Sequence, residues 1–155
     1  MVKWLLAALV LTLAGFLFWP KNKLGTQLKV GQTTVAVEIR GDDAGRALGL
    51  SGRDGLGDDE GMLFVFDQPA VHEFWMKDMN FPLDFIWIND TRIVDFLKDI
   101  QPPKPDDSPQ SIPLFAPIVP INRILEVNAG FVETYNIRVG DKIEQVGLGE
   151  QSSPI

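Results

Sequence analysis

The sequence predicts a mainly β domain, a small barrel-like or strongly curved antiparallel sheet with two short helices and one long proline-rich loop. Three observations lead there. Short apolar segments bounded by turn residues recur along residues 28–146. Seven of the eleven prolines fall in QPPKPDDSPQSIPLFAPIVP, residues 101–120, and proline cannot donate to a strand ladder, so this stretch is extended loop. Only residues 42–50 and 129–135 carry helix signals.

Taken in order, Leu28 and Val30 open a first strand, with Gly31-Gln32 as its turn. Val35, Val37 and Ile39 alternate with Ala36, Glu38 and Arg40, the period of a half-buried strand. Asp42 or Asp43 caps a helix kept short by Gly45 and Gly49. GRDGLGDDEG, residues 52–61, is turn-rich loop. Four apolar strands follow, at Met62–Phe66, Glu73–Lys77, Phe85–Ile88 and Ile93–Leu97, with Asn89-Asp90 as a hairpin turn. In the proline-rich loop, Ile112, Leu114, Phe115, Ile118 and Val119 are expected to pack on the domain. Ile124–Asn128 is a strand, Ala129–Tyr135 a short helix and Lys142–Val146 the last strand.

The totals narrow the function classes. A chain of 155 residues holds one domain of ordinary size. Its net charge of −7 and lack of clustered lysine and arginine disfavour a nucleic-acid partner. With no cysteine and one histidine, disulfides, iron–sulfur clusters, thiolate chemistry and histidine zinc sites fall away. No cofactor or metal is expected, and Met62, Met76 and Met79 read as core.

Residues 1–23 form a separate unit. Trp4 to Trp19 is an apolar run of 16 residues with Thr12 alone polar, about 24 Å as a helix. It follows Lys3 and ends at Pro20, the layout of an export signal. We read it as an uncleaved membrane anchor; a cleaved signal is the alternative, with Thr12-Leu13-Ala14 the best candidate cleavage sequence. Either reading puts residues 24–148 outside the cytoplasm as one β-rich domain, followed by a loose tail at 149–155.

Five phrases in order resemble the DUF192 family, also called UPF0127: RALGLSGR (46–53), EGMLFVF (60–66), FWMKDMNFPLDFIWI (74–88), LEVNAGF (125–131) and VGDKI (139–143). The resemblance covers most of residues 33–146 and implies a small prokaryotic protein, often exported, with no established biochemical activity. The chain departs from the family pattern at Asp78 and Met79, where members often carry Asn-Thr, and at Ser51, where many carry Met. Its long loop lacks the cysteine pair of some members.

The candidate site lies around HEFWMKDMNFPLDFIWIND, residues 72–90. As a strand, 72–78 puts His72, Phe74 and Met76 on one face and Glu73, Trp75 and Lys77 on the other. Trp75 then floors a shallow pocket with Lys77 as an anion contact, or else it is core and Glu73 and Lys77 are a solvated pair. Asp84 points inward at a strand mouth and needs a partner, either Arg53, Lys77 or backbone amides. Glu126 and Asn128 share a strand face, which suits a ligand's hydrogen bonds or a buried structural network. Arg53 is placed for a bidentate contact to Asp84, Glu126 or a ligand carboxylate. His72 reads as a polar cap or surface group, and Ser51 has no visible triad partner.

Arg53, Trp75, Lys77, Asp84, Glu126 and Asn128 are therefore the ligand-binding candidates. The expected function is an extracytoplasmic, membrane-tethered domain binding a small polar ligand, glycan or peptide. One alternative is a cell-envelope hydrolase or lyase using Asp84 or Glu126 as acid or base. The other is an interaction module with an exposed apolar patch along 112–119.

Overall fold

The computed structural model describes residues 26–146; the apolar run at 4–19 and the tail lie outside them. Seven strands form one sheet. They are β1 (Thr26–Val30), β2 (Thr33–Arg40), β3 (Glu60–Ala70), β5 (Leu83–Asn89), β6 (Arg92–Ile100), β8 (Ile121–Asn128) and β9 (Ile143–Val146), in spatial order β6-β5-β8-β3-β2-β1-β9. Two short strands, β4 (Phe74–Trp75) and β7 (Leu114–Phe115), pair with each other outside it. The helices are α1 (Asp43–Leu48) and α2 (Phe131–Thr134).

One expectation is corrected. The sheet is not wholly antiparallel, because β2 and β3 run parallel, with α1 and the glycine-rich loop between them. The ladder does not close: β6 and β9 stay as edges, joined at one end by the bridge between Arg92 and Lys142. Around that bridge Ile93 N–H donates to Asp141 O (3.0 Å) and Gly140 N–H to Ile93 O (2.8 Å).

Strands β3, β5 and β8 are buried on both faces, which is why LDFIWI reads as an unbroken apolar run with one acid. On one face, residues from all seven strands, including Leu28, Val35, Leu63, Ile86, Leu125 and Ile143, build the main core with Phe131 and Val132 of α2. On the other, Met62, Phe64, Phe85, Trp87 and Ile124 form a second core under Leu50, Met76 and Met79. Each large apolar side chain so buried contributes about 1.5–3 kcal/mol.

The local signals explain the ends of elements. The Asp42 side chain accepts the Gly45 N–H at 2.8 Å and caps α1, and Gly49 ends it at φ 51°. Asp90, at φ 53°, turns the β5–β6 hairpin. In the proline-rich loop Phe115 packs on the second core. Leu114, Ile118 and Val119 do not: they are exposed, Ile118 at 85%.

Candidate functional site

The layer over the second core leaves a pocket of about 390 Å³. One wall is the segment Glu73–Lys77, the other the C-terminal part of α1 and Gly49–Ser51. Between them the lining includes Glu126, a β8 residue 6% exposed, with Phe64, Met76 and Leu83. Alternation along β8 puts Glu126 on the face of Ile124, opposite Leu125 and Val127. Burial pushes its carboxyl up to about 8, and no cation or N–H donor of the described residues counters that shift. Near neutral pH the group therefore keeps its proton and offers both a donor and an acceptor.

Trp75 and Lys77 stand at the same pocket. Trp75 is half exposed, and the Lys77 ammonium lies 5.5 Å from its ring centroid. Lys77 Nζ also sits 3.6 Å from Asp78 Oδ2. Of the two readings of Trp75, core or pocket, the structure has it half exposed and lining the pocket together with Lys77 and Glu126.

The other three candidates are elsewhere. Arg53 does not reach Asp84 or Glu126. Its guanidinium pairs two-pronged with Glu38, Nη1 to Oε1 at 2.5 Å and Nη2 to Oε2 at 2.8 Å, and holds the Glu38 carboxyl below its usual range. Asp84 is fully buried on the face opposite Glu126, with Ile86 and Ile88. Its Oδ1 accepts the Asp99 N–H and its Oδ2 the Val132 N–H, both at 2.9 Å. A bulge in β6 at Lys98-Asp99, where Asp99 takes φ 53°, turns one N–H out of the ladder toward Asp84. Val132 lies in the first turn of α2, so Asp84 also caps that helix. Asn128 Nδ2 donates to Leu56 O (3.3 Å) and Gly57 O (3.0 Å), clamping the glycine-rich loop. Asp84 and Asn128 are thus bound into structure, and the expected six-residue cluster is three residues.

Sequence reasoning missed Arg46 and undervalued His72. Arg46 donates to Val65 O at 2.9 Å, pairs with Asp43 and lies 4.9 Å from the Phe66 ring centroid. Phe66 also stacks on His72 at 3.6 Å and 14° and meets Phe74 edge-on at 6.1 Å. Burial pulls the His72 imidazole below its ordinary range, with a Gln68 backbone hydrogen bond opposing, and its Nε2 has no partner among the described residues. Both residues line the pocket. The sequence held a signal for His72, since strand alternation placed it on the face of Phe74 and Met76.

Architecture and site define a two-cored β domain with a buried carboxyl, without a partner among the described residues, at an aromatic-walled pocket. The family model DUF192, described as uncharacterized ACR, matches residues 26–145, and the chain belongs to that family. Two solved structures are similar. One, from Sinorhizobium meliloti 1021, is described as a "putative transcription regulator"; it is 28% identical with a TM-score of 0.68, over 79% of this chain and 93% of that one. The other is a protein of unknown function from Novosphingobium aromaticivorans DSM 12444, 29% identical with a TM-score of 0.69, over 81% of this chain and 89% of that one. No curated protein matches.

Proposed function

We propose that the protein is a membrane-tethered, extracytoplasmic domain that binds a small polar ligand, a glycan or a peptide, in the Glu126 pocket. One observation carries the binding reading: a carboxyl more than nine-tenths buried, without a hydrogen-bond partner among the described residues, lines a 390 Å³ pocket. A buried polar group without a partner costs about 1–3 kcal/mol, and a ligand that pairs with it recovers that cost. The volume is of the order of small-molecule sites. The tether rests on the apolar run Trp4–Trp19. The edge bridge at Arg92–Lys142 supports a strongly curved, barrel-like reading of the sheet.

The hydrolase reading is weaker. A two-carboxylate glycosidase needs both groups flanking one bond, whereas Asp84 and Glu126 lie on opposite faces of the sheet. The Sinorhizobium protein's description as a transcription regulator is not carried over, because a net charge of −7 opposes phosphate binding. The exposed Leu114, Ile118 and Val119 favour a second reading, a protein-interaction surface.

The test is thermal-shift screening of the full chain in detergent against oligosaccharides and short peptides. A compound that stabilises the wild type but neither Trp75→Ala nor Glu126→Leu supports the pocket. Stabilisation unchanged in both variants overturns it. An alkaline phosphatase fusion after residue 155 is expected to be active, and an inactive fusion removes the extracytoplasmic placement.

A further inference from the structure

We propose that the pocket takes an uncharged amide, of the kind carried by a peptide backbone or a carboxamide side chain, paired through two hydrogen bonds with the Glu126 carboxyl. This rests on the binding reading above and names its ligand class.

Three kinds of head group compete for Glu126, and the surroundings sort them. An anion carried to Glu126 would meet a carboxyl that no cation or N–H donor of the described residues offsets, Arg46 and Lys77 standing elsewhere in the pocket lining. A cation would need Glu126 ionised in a site that burial makes costly for charge. Two of the pocket's aromatic rings already carry a cation, Arg46 at 4.9 Å from the Phe66 centroid and Lys77 at 5.5 Å from that of Trp75. Arg46 and Lys77 would further repel an incoming positive charge. An uncharged amide avoids all three costs. Its C=O accepts the carboxyl proton while its N–H donates to the carboxyl oxygen. Burial supports this pairing by keeping that proton in place near neutral pH.

A second observation points to peptides. Strand β4 pairs with β7 along one side and has no strand on the other. In a two-residue antiparallel pair, one residue turns its N–H and C=O away from the partner. The two-residue strand Phe74–Trp75 lines the pocket and has one edge without a strand partner among the described residues, the geometry by which extended peptides add to a sheet, while the Met76 and Lys77 carbonyls beyond it are already bonded to Met79 N–H and Ser51 Oγ.

The experiment titrates the full chain in detergent with three probes of one body and different charge: N-acetylphenylalaninamide, cationic phenylalaninamide and anionic N-acetylphenylalanine. The Trp75 indole N–H resonance is the readout, assigned through Trp75→Phe, with N-acetylglucosamine added as an amide-bearing sugar and glucose as an amide-free one. The neutral amide is expected to bind at least about tenfold more tightly than either charged probe, the worth of about one good hydrogen bond. Glu126→Gln, which keeps one donor and one acceptor, should stay within a few-fold of wild type; Glu126→Leu should lose at least about tenfold. If Glu126→Leu does not fold, Glu126→Gln decides: collapse of neutral-amide binding in that variant overturns the proposal. Preference for a charged probe or for glucose also overturns the amide while leaving the pocket standing. Silence at Trp75 toward all five compounds overturns both.

Discussion

A carboxyl taken out of water stays charged only where N–H groups or cations replace its hydration. Asp84 has two such groups, Asp99 N–H and Val132 N–H, one on each oxygen. Glu126, nearly as deep, has none among the described residues and keeps its proton near neutral pH. Two expectations follow. Asp84→Asn leaves one oxygen for two donors and turns an NH₂ toward the other, so it should destabilise the fold by about 2–4 kcal/mol in urea denaturation. For Glu126 the folded-state pKa, about 8, lies above the ordinary 4.5 of a glutamate carboxyl. Its contribution is therefore fully present below about pH 4.5 and lost as pH rises toward about 8. Wild-type stability should fall over that window by up to about 1.4 kcal/mol per pH unit. Glu126→Gln should abolish this fall. An identical pH slope in the variant would assign it to another group.

Among the elements, those whose burial repeats along the chain were legible in sequence. The two-residue period at Val35 and Val37, the Asp42 cap and the Asp90 turn lie where the local pattern puts them, whereas Ile39, expected on the same buried face, is exposed at 46%. What failed depended on register. Nothing near GRDGLG says that β3 will run parallel to β2, yet that pairing sets Glu38 opposite Met62 and brings Arg53 to Glu38 instead of Glu126. The β6 bulge that commits Asp84 is equally invisible, being a one-residue mismatch between two strands. Trp75, Lys77 and Glu126 were legible as polar or amphipathic residues interrupting apolar strands; that they share a pocket was not. The Arg53–Glu38 pair has side chains 33% and 24% exposed, so solvent screens it. A double-mutant cycle with Arg53→Ala and Glu38→Ala should give a coupling of about 1 kcal/mol or less, shrinking in high salt.

At the scale of the molecule, two cores on opposite faces of β3, β5 and β8 make those strands the shared partition of the domain. Amides of Phe85–Ile88 and Ile124–Val127 should be the slowest to exchange with deuterium, at the free energy of global unfolding, while the 103–111 loop exchanges at once. Uniform exchange across both would mean that the layer over the second core is not cooperative with the sheet.

The pairing of Gln27 with Val146 sets the first and last described strands side by side, about 4.8 Å apart as neighbouring strands are. The path of the chain is nearly a ring. A linker of about four residues would join residue 146 to residue 26, and the exposed turn at Pro105-Asp106 offers a place to cut. Such a circular permutant should fold with its pocket intact. In the native order, whatever precedes residue 26 and follows residue 146 departs from one seam of the sheet.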